Sequence, residues 1–174
     1  MSDDLSAALL ATRDKLAEKF GEQVTAEEPF RGQLTVIVPP AALLEVLAFL
    51  RDDPALAYAH LSDVTAVDRL PREPRFDLVY HLFSLQERAR LVVKVPLAEG
   101  VAAPSITGLW SGANYMEREV YDMFGIPFSG HPHLERILTP EGFVGHPLRR
   151  DFPIGGEPVA FDIPHRKRFS DAPV

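Results

Sequence analysis

The chain has 174 residues, a formal charge of −7, apolar and charged fractions of 46% and 25%, and no cysteine. The acidic balance excludes a surface built for nucleic acid or anionic lipid. The missing cysteines exclude disulfides, thiolate nucleophiles and iron–sulfur clusters held by thiolates. A chain of this length buries about two-thirds of the surface its unfolded form exposes, enough for one core domain with an appendage.

The chain begins Met1-Ser2-Asp3-Asp4, acidic where a signal or transit peptide is basic. The longest apolar run, Pro39 to Leu50, is broken by Glu45 and is too short to span a bilayer. A soluble, cytoplasmic protein without direct membrane insertion is expected.

Leu5, Leu9, Leu16 and Phe20 recur at helical spacing, with Asp3 or Asp4 available as N-cap and Gly21 as the stop. Gln23–Glu28 and Gln33–Val38 alternate weakly about the turn-prone Pro29 to Gly32, which predicts a hairpin. Pro39-Pro40 ends that strand and opens a helix carrying Leu43, Leu44, Val46, Leu47 and Leu50 as far as Asp53. From His60 the pattern turns to strand, with Leu61, Val64 and Val67 as its apolar set. Phe76–Leu85 and Ala89–Val95 are β-branched and aromatic, and Gln86-Glu87 joins them into an antiparallel pair. The order αββαβββ predicts a two-layer α+β fold, helices packed on one face of a mainly antiparallel sheet.

A further helix is expected over about Asn114 to Phe124. Met116, Val120, Met123 and Phe124 share one face of it, and Glu117, Arg118, Glu119, Tyr121 and Asp122 occupy the rest. The apolar face closes the sheet and the charged face is left for solvent or a partner. From Gly125 to Val174 lie half of the 16 prolines and six of the 11 glycines, and no regular period survives. The segment nevertheless holds Phe128, Leu134, Ile137, Leu138, Phe143, Leu148, Phe152 and Phe161, too apolar for a plain disordered tail. Residues 1–124 therefore read as a core domain with its closing helix. Residues 125–174 read as a long extended C-terminal arm that orders against its own domain and a partner.

Three chemistries are open to the arm. His131, His133 and His146 offer a start for an open zinc site, and hence a metal-dependent hydrolase, although Pro132 separates the first two and nothing fixes the third. Hydrogen bonds from these histidines to turn backbone are the simpler reading. Glu117 and Glu119 lie about 200° apart on a helix, so they do not form an acid–base pair. No phosphate loop, dinucleotide fingerprint or nucleophile elbow is present. Arg118, Arg136, Arg149 and Arg150 are suited to bidentate carboxylate pairing and to desolvated interfaces. On proline-constrained backbone they describe a preshaped strap with charged anchors rather than an active site.

Glu117-Arg118-Glu119-Val120-Tyr121-Asp122-Met123-Phe124-Gly125-Ile126, Gly130-His131-Pro132, Leu134, Arg136-Ile137-Leu138 and Gly145-His146-Pro147-Leu148-Arg149-Arg150-Asp151-Phe152-Pro153 closely resemble the signature of the C-type subunit of NADH-quinone oxidoreductase. That is the 30 kDa-type subunit family of respiratory complex I (NDH-1). Asp63 to Asp68 and the strand around Tyr80–Leu85 are similar to the family's sheet, and the resemblance covers roughly residues 30–155.

The resemblance implies a non-catalytic structural and assembly subunit in the peripheral arm of a proton-translocating NADH:quinone oxidoreductase, a respiratory-chain translocase. It implies a place on the cytoplasmic side of the cell membrane and packing against the D-type (49 kDa-type) subunit near the quinone cavity, with the B-type and I-type Fe-S subunits nearby. No cofactor is expected in this chain; FMN and the Fe-S clusters belong to partner subunits. The expected partner-interface residues are Glu117, Arg118, Glu119, Tyr121, Asp122, His131, Arg136, His146, Arg149, Arg150 and Asp151. The equivalent subunit of a hydrogenase- or F420-linked membrane complex, and the metal-dependent hydrolase above, are the alternatives.

Overall fold

A computed structural model describes residues 5–153. The expected caps Asp3 and Asp4, and the last part of the arm, residues 154–174, lie outside the described residues. Helix α1 spans Ala7–Phe20, and Ser6 is its N-cap, its hydroxyl accepting the N–H of Leu9 at 3.4 Å. Gly21 ends it as expected, its N–H returning to the carbonyl of Ala17. Strands β1 (Thr25–Ala26) and β2 (Leu34–Ile37) form the hairpin. A short 3₁₀ turn at Pro40–Ala42 then runs into α2 (Leu43–Asp52).

Strands β3 (His60–Asp68), β4 (Phe76–Ser84) and β5 (Ala89–Leu97) follow as an antiparallel meander. The sheet order is β1-β2-β5-β4-β3, and β5 lies parallel to β2. That single parallel pair arises because α2 carries the chain across to the far edge and the meander brings it back. Pro96 sits inside β5 without loss. The carbonyl of Lys94 accepts from Val38, so the side of Pro96 that lacks an N–H points to the same edge, past the last residue of β2.

The apolar set expected for β3 is only partly correct. A register shift between Leu61 and Asp63 lets Leu61 and Val64 share the inner face despite their odd spacing. Alternation then takes Ala66 and Asp68 inward and leaves Val67 37% exposed. The inner face of the sheet meets Leu9, Leu16, Leu43, Val46, Leu47 and Leu50 from α1 and α2 in one core. Each of these buried aliphatic side chains contributes about 1.5–3 kcal/mol by leaving water. On the outer face Thr35, His81, Val92 and Lys94 are half-buried, while Asp77 and Val79 are buried. The fold is thus the expected two-layer α+β arrangement.

Two short strands, β6 (Ala103–Pro104) and β7 (Phe128–Ser129), pair in parallel on either side of α3 (Ala113–Phe124). From α3, Ala113, Val120, Met123 and Phe124 join the same core. Among the described residues, no helix is long and apolar enough to cross a membrane.

Candidate functional site, a strap braced by buried charge

The end of α3 fixes the geometry of everything after it. A helix leaves its last four carbonyls without intrahelical donors. Here Tyr121 O accepts the N–H of Gly125 at 2.9 Å and Met123 O that of Leu148 at 3.1 Å. Asp122 O meets His146 Nδ1 at 2.8 Å, and Phe124 O accepts Arg149 Nε at 2.6 Å. A carbonyl only accepts, so His146 carries its ring proton on Nδ1. Three of the four carbonyls are therefore capped by residues 146–149, folded back over the helix end, where a cation also suits the helix dipole. Gly125 permits this twice over. Its φ is +71°, and a side chain there would collide with His146 and Arg149.

The carboxylate of Asp122 organises the middle of the strap. Its Oδ2 accepts the N–H groups of Ile137, Leu138 and Thr139 at 3.0, 2.8 and 2.8 Å. Its Oδ1 accepts the Thr139 hydroxyl at 2.5 Å and Arg136 at 3.0 Å. Arg136 also donates to Thr139 Oγ1 and to the carbonyl of Gly145. Burial alone works against the charge, but the Thr139 hydroxyl and the three N–H groups outweigh it and hold the carboxyl well below its usual range.

The strap ends on a second charge cluster at the Asp68 end of the sheet. Arg75, 3% exposed, forms a two-pronged pair with Asp68 at 3.1 and 2.7 Å. It also donates to Glu99 at 2.9 Å and to Asp151 at 2.7 Å. Arg149 reaches the other oxygen of Glu99 at 2.8 Å. The backbone of Arg150 donates to Asp68 Oδ2 at 2.9 Å, and its guanidinium to the carbonyl of Leu70 at 2.8 Å. Desolvation opposes the Asp68 charge, yet Arg75 and the N–H groups of Arg150 and Leu70 bring its pKa down to about 2. The same carboxylates hold Arg75 more firmly protonated than a free guanidinium.

Glu117 forms the third brace. It is fully buried, accepting the N–H of Ile106 and the hydroxyl of Ser105, each at 2.7 Å. Burial raises its pKa, because two neutral donors only partly replace water. His131 Nε2 lies 3.9 Å away and 3.2 Å from the carbonyl of Asn114, while its Nδ1 accepts the N–H of His133.

The expected charged face of α3 is thus divided. Glu117 and Asp122 are both 0% exposed, Glu117 inside the core stripe and Asp122 beneath the strap. The stripe at 113, 117, 120 and 124 admits a carboxylate because the loop before α3 supplies two donors. Arg118 turns to the carbonyls of Glu135 and Arg136, Tyr121 packs edge-on to His146, and Glu119 faces outward. The histidines are not gathered for a metal. His131 contacts Asn114 near the start of α3 and His146 contacts Asp122 near its end, about 12 Å apart along the axis. Among the described residues, no group of three or more His, Asp or Glu is placed to hold one. Sequence reasoning passed over Arg75, Glu99 and Thr139. The first two lie far upstream in unremarkable loop and strand ends, and no local pattern ties them to the arm.

Comparison with known proteins follows the same segments. The family described as "Respiratory-chain NADH dehydrogenase, 30 Kd subunit" matches residues 36–158. The C-type subunit of the NADH-quinone oxidoreductase of Roseiflexus sp. (strain RS-1) is 48% identical over 161 residues, 92% of each chain. That of Citrifermentans bemidjiense is 50% identical over 143 residues, 82% of this chain and 88% of the relative. A chain in the structure of the membrane-bound sulfane sulfur reductase, an archaeal respiratory membrane complex, shares the fold with a TM-score of 0.70. It is 24% identical and covered over 87% of its length by 86% of this chain. With the family matched across most of its sheet, α3 and the whole braced strap, this chain belongs to the 30 kDa subunit family of the respiratory-chain NADH dehydrogenase.

Proposed function

We propose that the chain is a non-catalytic structural and assembly subunit in the peripheral arm of a proton-translocating NADH:quinone oxidoreductase. Residues 1–124 are the folding platform, and the arm from residue 125 docks on the D-type subunit beside the quinone cavity, with the B-type and I-type subunits nearby. The site of action is the cytoplasmic side of the cell membrane, and FMN and the clusters belong to the partners. The names of the relatives support the complex.

The observation that carries the structural role is how the charges are used. Asp122, Arg136, Arg149, Asp68 and Arg75 are each committed to backbone groups or to one another, so their chemistry is that of holding a loop in shape. In this reading Glu117, Asp122, Arg136, Arg149 and Asp151 set the docking surface from beneath. Arg118, Glu119, Tyr121, His131, His146 and Arg150 border it.

The test is tagged full-length chain expressed in its host and recovered from solubilised membranes, with co-purifying subunits identified by mass spectrometry. The D-type subunit is expected in stoichiometric yield, and Arg149→Ala lowers the amount of assembled complex. Normal assembly of Arg149→Ala with lost turnover would place the residue in the chemistry and defeat the structural reading.

A further inference from the structure

Among the described residues, four of the eleven exposed large apolar side chains fall within twelve residues of the strap, and the other seven are scattered over the chain from Leu10 to Tyr115. Ile137 is 38% exposed, Leu138 61%, Val144 87% and Leu148 54%. Apolar groups this exposed in an ordinary loop would be unremarkable singly. Here each hangs from fixed backbone. The N–H groups of Ile137 and Leu138 are held by Asp122, and that of Leu148 by Met123. Val144 stands between Phe143, whose ring stacks on Phe152 at 6.0 Å, and Gly145, whose carbonyl accepts Arg136. Gly145 has φ +96° and no room for a side chain against Phe152, so the Val144 mount is fixed from that side too. Apolar side chains pre-set in this way lose little freedom on binding, the condition under which they act as anchors.

Carboxylates outnumber uncompensated cations around them, for only the guanidiniums of Arg118 and Arg150 bond to carbonyls and keep their charge. Arg136 and Arg149 are turned inward to Asp122, the carbonyl of Phe124 and Glu99, and Arg150 is tied to Leu70. Glu119 and Glu141 are exposed with no partner among the described residues, and exposed Glu135 pairs only with His133. We infer that Ile137, Leu138, Val144 and Leu148 form a preformed docking patch whose occupant is an apolar socket rimmed by Lys or Arg side chains on a partner protein. The apolar side chains enter the socket and Glu119, Glu135 and Glu141 meet its basic rim. The inference rests on the assembly reading above and names the surface and the chemistry by which it is met.

The experiment compares full-length tagged chains expressed in the host, scored by the fraction retained in the membrane complex at low and at high salt. Leu138→Ser with Val144→Ser is expected to lower retention about tenfold, the cost of losing anchor contacts. Glu119→Lys with Glu141→Lys is expected to lower it more at low salt than at high, because exposed charges are screened. Leu85→Ser, at an equally exposed apolar site on the β4–β5 turn, leaves retention unchanged, and all variants keep the wild-type melting temperature. Wild-type retention of either double variant overturns the patch while leaving the assembly reading intact. Loss of retention by the wild-type chain itself overturns both. A purified chain that dimerises, with the dimer dissolved by the serine variants, makes the occupant a second copy and overturns the proposal.

Discussion

Asp122 holds Thr139 twice, through its hydroxyl at 2.5 Å and through its N–H at 2.8 Å, across a sequence gap of 17 residues. The pair ties the strap to α3 with no help from apolar burial. Asp122→Ala leaves three N–H groups, a hydroxyl and Arg136 without their acceptor, and is expected to cost about 3–5 kcal/mol. Asp122→Asn keeps the shape but turns an amide donor toward donors, and is expected to cost about half as much. Urea denaturation of the purified chain measures both. A change under about 1 kcal/mol for the alanine variant would show that the strap does not depend on this carboxylate.

Acid should loosen the strap before the core. Asp68, Asp122 and Asp151 all have folded-state pKa values below their unfolded ones, so their contribution is complete above the unfolded value of about 4 and is lost as pH falls through the folded value. For Asp68 the window runs from about pH 4 to the folded value of about 2, and the loss is about 2 kcal/mol. The protection factor of the Arg150 amide, the free amide's exchange rate at the same pH divided by its own, should fall across that window in the wild-type chain. Asp68→Asn should exchange fast already at neutral pH and respond less to acid.

Glu117 runs the other way. Its pKa is raised in the folded state, so the ionised form opposes folding and stability improves as pH falls through the folded value. Glu117→Gln retains an acceptor for Ile106 and an amide that Ser105 Oγ can accept, and should lie within about 1 kcal/mol of wild type at neutral pH. Glu117→Ala strands both buried donors and should cost about 2–3 kcal/mol. Equal losses for the two variants, read by thermal melting, would mean that the charge itself is required.

Two glycines of the strap separate conformation from contact. Gly130, φ +79°, has open space where a side chain would go, so Gly130→Ala should cost only the strain of left-handed backbone, about 1 kcal/mol. Gly125→Ala adds collision with His146 and Arg149 and should cost about 3 kcal/mol or more, with release of residues 146–149 from the end of α3. Similar melting temperatures for the two variants would remove the argument for close approach at Gly125.

Local pattern was enough to read the helices, the hairpins and their order, because apolar spacing at 3.6 and 2 residues is written in neighbouring positions. It also singled out Arg118, Arg136, Arg149 and Arg150 as anchors, and each of them bonds within the chain. It misplaced Val67, because a bulge shifts the phase of a strand without leaving a mark in composition. It left Glu117 and Asp122 on an outer face, because a helix wheel does not know which loops will return to it. Only the tertiary structure decided that β5 lies beside β2, that Arg75 and Glu99 receive the strap, and that three carbonyls of α3 find donors 24 or 25 residues away. Such pairings join groups distant in sequence, and their energy comes from mutual desolvation and hydrogen-bond geometry, quantities that exist only once the chain has folded.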